Sequence, residues 1–118
     1  MAVRRIVANI AAENVAEVQT FYSELFGLDV AMDMGWIVTL TSGGTALTQI
    51  SVMDEGGSGA PVPDLSIEVD DVDAVYGKAR TLGREIVRGL TDEPWGVRRF
   101  FLRDPTGKIL NVLSHLRG

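Results

Sequence analysis

Two stretches of this chain carry the same apolar rhythm. Val15, Val18, Tyr22 and Leu25 are spaced 3, 4 and 3 apart, and Val72, Val75, Ala79 and Leu82 repeat those spacings 57 positions later. Residues three and four apart share a helix face, so each series reads as the buried stripe of a short amphipathic helix. Asn14 and Asp71 stand where N-caps belong, and Gly27 and Gly83 where the chain must leave the helix. The helices are therefore expected over residues 14–26 and 71–82. A strand-like run precedes each, at residues 6–12 and 65–69. Three more follow each, at 28–33, 36–41 and 46–52, and again at 85–88, 97–103 and 108–115. The unit is strand, helix, three strands, used twice. A repeat this long describes two modules that bury a face against each other, not a solenoid.

Module one is expected over residues 3–53 and module two over 64–115, within a single domain of 118 residues. Residues 54–63 between them are acidic, rich in glycine and closed by Pro61 and Pro63, which places the next strand after the prolines. Turns are expected at Asp33-Met34-Gly35, at Ser42-Gly43-Gly44 and at Asp104-Pro105-Thr106-Gly107. The offset between the modules grows from 57 at the helices to 63 when Gly44 is set against Gly107. Module two thus holds about seven extra residues near Gly89–Gly96, expected as a loop that carries Trp95.

Several classes of function are set aside by composition. The chain has no cysteine, which excludes disulfides, thiolate metal sites and cysteine nucleophiles and fits a reducing, cytoplasmic setting. It has no signal-like or membrane-spanning apolar segment. Residues 1–60 hold two arginines against seven acids, whereas residues 61–118 are balanced. An acidic chain without a basic run argues against nucleic acid and anionic membranes as partners and is compatible with a cationic ligand.

Strand alternation separates two faces. Ile6, Ala8, Ile10 and Ala12 of the first strand, and Leu65, Ile67 and Val69 of the fifth, form the sets that should meet the helices. The opposite faces carry Arg5, Val7, Asn9 and Ala11, and Asp64, Ser66 and Glu68. Carboxylates on such a face are costly to seal without partners, so a wet cavity is expected there. Asp64 and Glu68 could share a proton or hold a substrate amine, or pair with Arg98 or Arg99. Trp36, in a strand, and Trp95, in the extra loop, could stack a planar or cationic ligand. His115 is the sole histidine, so any histidine base would have to be this one.

Phe21-Tyr22-x-x-Leu25-Phe26-Gly27 closing the first helix, Glu68-Val69-Asp70-Asp71-Val72 opening the second module, and Glu93-Pro94-Trp95-Gly96-Val97-Arg98-Arg99-Phe100 leading to Arg103-Asp104-Pro105-Thr106-Gly107 resemble the vicinal oxygen chelate superfamily, the group of glyoxalases, bleomycin-resistance proteins and extradiol dioxygenases. The resemblance runs over essentially the whole chain. It implies an α+β fold in which two tandem βαβββ modules form an open, incomplete eight-stranded barrel, with a site in the concavity. It also implies a homodimer. Metal-dependent members place His or Glu at four inward positions. Carried over residue by residue, these read Val7, Gln49, Asp64 and Asn111, with Gln49 taken from Thr48-Gln49-Ile50. None is His or Glu, so no metal cofactor is expected. The function expected is a metal-free binder of a small planar or cationic molecule, of the bleomycin-resistance type. Its ligand-binding candidates are Trp95, Trp36, Asp64, Glu68, Gln49, Asn111 and Arg99. The alternative is a glyoxalase-type lyase, isomerase or epimerase acting on a small carbonyl or hydroxy-acid compound.

Overall fold

The computed structural model describes residues 2–42 and 48–116. In chain order it contains β1 (Val3–Ala11), α1 (Val15–Phe26), β2 (Asp29–Asp33), β3 (Ile37–Thr41), β4 (Gln49–Met53), β5 (Leu65–Val69), α2 (Val72–Thr81), β6 (Ile86–Glu93), β7 (Val97–Arg103) and β8 (Ile109–His115). The strand-helix-three-strand unit is present twice. The strands are hydrogen-bonded in the order β2-β3-β4-β1-β5-β8-β7-β6, an open sheet, and the fold is α+β. The chain divides into two compact units: one spans Val7–Val62, and the other joins the residues up to Ile6 to those from Pro63 onward. The division falls inside β1.

In the unit of residues 7–62, the Asn14 side chain caps α1 by accepting the Glu17 N–H at 3.1 Å. Gly27 ends the helix with φ +67° and donates its N–H to the Ser23 carbonyl. Val15 packs with Val38, Leu40 and Val52, and Ile10, Val18, Tyr22 and Ile50 lie against that core. The antiparallel β3–β4 register pairs Val38 with Val52 and Leu40 with Ile50 on the helix side, leaving Thr39–Ser51 and Thr41–Gln49 on the other. The segment expected as a linker is a tight turn here. Gly56 donates to Ala60 and Ala60 to Gly57, and Gly56, Gly57 and Ala60 are buried. A Cβ on Gly56 would collide with the Pro61 carbonyl. The turn expected at Ser42-Gly43-Gly44 lies outside the described residues beyond Ser42, as does the start of the strand expected from Ala46.

In the other unit, Asp71 caps α2 by accepting the Ala74 N–H at 3.1 Å. Val72 and Ala79 pack with Val69, Phe100 and Val112, and the Tyr76 ring meets Phe100 edge-on with centroids 5.0 Å apart. β5 and β8 run parallel, and β8 pairs antiparallel with β7, which pairs antiparallel with β6.

Four details depart from the sequence reading. The last residue of each apolar stripe is exposed, Leu25 at 62% and Leu82 at 59%, the latter standing just past the end of α2. Ile6 is also exposed: the α1 core reaches β1 only at Ile10, and then Ala12 just beyond the strand. Trp36 stands in the β2–β3 turn, because Gly35 at φ +83°, with its N–H held by Asp33, delays the strand to Ile37. The extra residues of module two are mostly strand rather than loop: β6 continues to Glu93, and only Pro94, Trp95 and Gly96 form the turn. Register shifts on either side of Arg88 absorb the added length within the ladder.

Candidate functional site

The helix side of the second unit is set by Ile67, Val69, Phe100, Leu102 and Val112. Side chains of opposite parity point to the helix-free face, where cross-strand pairing sorts them into rows. One row reads Arg88, Phe101, Asn111 and Ser66 across β6, β7, β8 and β5. The next reads Thr91, Arg99, Leu113 and Glu68. Polar groups at positions a dry sheet would fill with hydrocarbon mark this face as the candidate site.

Asn111 donates from Nδ2 to Ser66 Oγ at 3.1 Å, while its Oδ1 is buried without a partner. A buried acceptor left unmet costs about 1–3 kcal/mol, so this oxygen calls for an N–H or O–H from water or a ligand.

Arg99 is the centre of the second row and only 2% exposed. Its Nε donates to Glu93 Oε2 at 2.6 Å and its Nη2 lies 2.5 Å from the same oxygen. The guanidinium sits over the Phe101 ring at 4.7 Å and the Trp95 ring at 4.9 Å. Burial pushes its proton affinity down, Glu93 pulls it back up, and Arg88 adds to the lowering. Arg88 reaches Glu93 with longer bonds, 3.3 and 3.4 Å from Nη2, and its Nε is buried without a partner. Two cations therefore meet on Glu93, which is itself 6% exposed.

The two carboxylates paired in the sequence reading have separate partners. Asp64 is exposed, stands just before β5, and accepts the Ile109 N–H through Oδ2 at 2.8 Å. Glu68 accepts Arg5 Nε at 2.6 Å and has His115 Nε2 at 3.8 Å. Neither is tied to Arg98, which bridges Asp92 and Asp73 on the outer surface, nor to Arg99, which belongs to Glu93. Glu68 and His115 line a cavity of about 160 Å³ with Arg4, Asp70, Ser114 and Leu116.

In the first unit, the helix-free face carries a polar row of its own. Asn9 pairs with Ser51 and Ser51 with Thr39, and the two hydroxyls share a buried hydrogen bond of 2.8 Å. Val7, on the same parity of β1 as Asn9, is buried at 5% exposure. Gln49 opens β4 opposite Thr41, half-buried, and Trp36 is half-buried in its turn. Of the sequence candidates, the second unit gathers Glu68, Arg99 and Asn111 on one face, with Trp95 over Arg99. Asp64 sits at the rim of that unit's sheet. Trp36 and Gln49 belong to the first unit. Sequence reasoning missed Arg88 and the pairing of Glu93 with Arg99, because the irregular β6 register hides the parity of that strand. Among the described residues, no group of three or more His, Cys, Asp or Glu is placed to hold a metal ion. No helix among them is long and apolar enough to cross a membrane.

The profile of the Glyoxalase/Bleomycin resistance protein/Dioxygenase superfamily matches residues 5–112. No curated protein sequence matches the chain. Solved structures similar to it include one described as NAD-dependent benzaldehyde dehydrogenase from Legionella pneumophila, with TM-score 0.77 and 15% identity over 94% of this chain and 99% of that one. A glyoxalase/bleomycin resistance protein/dioxygenase superfamily member from Vibrio splendidus gives 0.71 and 17%, over 98% and 100%. A variant of Streptomyces coelicolor methylmalonyl-CoA epimerase, in complex with 2-nitronate-propionyl-CoA, gives 0.73 and 17%, over 98% and 100%. Identities this low speak to the fold alone.

Proposed function

The chain belongs to the glyoxalase/bleomycin resistance protein/dioxygenase superfamily, and from that premise we propose that it binds a small planar molecule without a resident metal ion. The observation that carries the proposal is what occupies the family's four metal-ligand positions. Val7 is buried hydrocarbon. Asp64 spends a carboxylate oxygen on the Ile109 N–H, and Asn111 donates its amide nitrogen to Ser66. Gln49 supplies a neutral amide. Zinc, nickel and iron sites are built from imidazole, thiolate or several carboxylates, so this donor set does not fit one. It suits hydrogen bonding to an organic ligand instead, through the unmet Asn111 Oδ1 beside Phe101.

Of the two ligand types compatible with the sequence, the planar one has more behind it. A cation would need a free carboxylate, and Glu68 is already held by Arg5. Metal analysis of the purified chain tests the proposal. Less than stoichiometric transition metal after dialysis is expected, and one equivalent of zinc, nickel or iron that is lost in Asp64→Ala would overturn it. The enzyme reading, a lyase, isomerase or epimerase, has one observation in its favour: His115 and Glu68 stand 3.8 Å apart beside a cavity. If it holds, the chain exchanges the α-hydrogen of small hydroxy acids with solvent deuterium, and His115→Gln stops the exchange.

A further inference from the structure

Three arrangements outside the family's ligand positions hold chemistry that the proposed binding does not use: the cavity by His115, the exposed apolar surface of α1, and the arginine pair at the β6–β7 hairpin. The hairpin gives the most specific argument.

Glu93 is one carboxylate facing two guanidiniums. Its short contacts, 2.6 and 2.5 Å, both go to Arg99. Arg88 is left with contacts of 3.3 and 3.4 Å, at the weak end of hydrogen bonding. Its Nε–H is buried with no acceptor, and among the described residues no second carboxylate lies within ion-pairing distance of it. A guanidinium presents its N–H groups as a planar fork that matches a carboxylate in two parallel bonds. The Arg88 fork is half used. Its side chain is 27% exposed, so a ligand can reach it from solvent. It lies opposite Phe101 in the ladder, in the same row as Asn111 and Ser66.

We propose that Arg88 is an anion-recognition residue and that the ligand of the helix-free face carries a carboxylate that docks on its free N–H edge. This rests on the reading of the chain as a binder of a planar small molecule and adds the ligand's charge. A carboxylate on the exposed part of the guanidinium balances the second cation on Glu93. Carboxylate is favoured over phosphate because one fork edge and one surplus charge are on offer, which matches a single negative charge. A cationic ligand would meet two guanidiniums at this edge and be repelled.

The test uses three planar probes of one shape and different charge: benzoate, benzamide and benzamidine. Binding is read by tryptophan fluorescence and by NMR shifts of the full chain. Benzoate should bind roughly tenfold tighter than benzamide, the scale of one charge-assisted hydrogen bond, and benzamidine should bind weakest. Arg88→Met should bring benzoate and benzamide to within about twofold of each other, and Arg88→Lys should keep part of the difference. Urea unfolding of both variants establishes that they are folded. Equal binding of the three probes overturns the carboxylate inference while leaving planar-ligand binding intact. So does a benzoate preference that survives Arg88→Met, or inorganic phosphate displacing benzoate at lower concentration than benzoate itself binds. No binding of any probe at millimolar concentration overturns both readings.

Discussion

Replacing Glu93 by glutamine should destabilise this protein more than replacing either arginine that it holds. Glu93→Gln keeps the shape of the side chain and removes its charge. Arg99, 2% exposed, would then face a neutral amide with Arg88 beside it and no carboxylate between them. Unpairing a buried ion pair costs about 3–5 kcal/mol, and repulsion between the guanidiniums puts this variant toward the upper end. Arg99→Met leaves Glu93 with Arg88 at 3.3 Å, so a partner remains. The loss should be about 1–3 kcal/mol, including the guanidinium's stacking on Trp95 and Phe101, worth on the order of 0.5–2 kcal/mol. Arg88→Met removes the surplus cation from long contacts and a 27% exposed side chain and should cost roughly 0–1 kcal/mol. Urea unfolding followed by fluorescence gives the order, provided the slopes agree among the variants. For a domain of this size 1 kcal/mol moves the thermal midpoint by roughly 3–6 °C, so the three separate clearly. If Arg99→Met matches or exceeds Glu93→Gln, or if Arg88→Met is as damaging as either, the picture of one carboxylate shared by two guanidiniums is wrong.

Asp104 accepts hydrogen bonds from Thr106 Oγ1, from the Lys108 N–H and from the Thr106 N–H, which hold its carboxyl below the ordinary 3.8. The stability this supplies is present above that ordinary value and is lost as pH falls through the lowered one, so Asp104→Asn should flatten the acid limb. Urea midpoints between about pH 5 and about pH 2 that fall in parallel for variant and parent would refute this. Gly56→Ala should cost about 1–3 kcal/mol, because the new methyl meets the Pro61 carbonyl; an unchanged thermal midpoint would show that the turn yields. Trp95→Ala should lower stability by roughly 0.5–2 kcal/mol through lost stacking on Arg99 and should also weaken benzoate binding. A loss of stability without a loss of binding would make Trp95 a support for Arg99 alone.

The repeat and both caps were legible because they are local, and alternation gave the helix-facing sets in part: Ile10, Ala12, Ile67 and Val69 lie against the helix cores, whereas Ile6 is exposed. Asn14 to Glu17 and Asp71 to Ala74 are contacts across three residues, and alternation of apolar residues needs no knowledge of partners. Asp104-Pro105-Thr106-Gly107 was legible for the same reason, with Gly107 at φ +89°. The partners of the charged residues were not. Arg99 was a candidate in the sequence, yet its acceptor, Glu93, depends on how β6 and β7 are registered, and that register slips on either side of Arg88. Asp64 and Glu68 looked like a pair from their spacing. The neighbours that claim them, Ile109 and Arg5, are 45 and 63 residues away. Spacing along one strand says which face a side chain takes, not which distant strand supplies its partner.

The position of the division within β1 bears on the order in which the chain can assemble. Residues before Val7 belong with the second module: Ala2 donates its N–H to Asp70, and Arg5 pairs with Glu68. The leading half of that strand therefore has no place to settle until β5, some sixty residues later, has been synthesised, whereas Ala8–Ala11 need only β4. Contacts spanning so much chain carry the larger closure entropy and form late. Trimming residues 2–6 should thus strip the far module of a strand while sparing the helix that follows β1 in sequence. The first residues of the chain are thus among the last that can be placed.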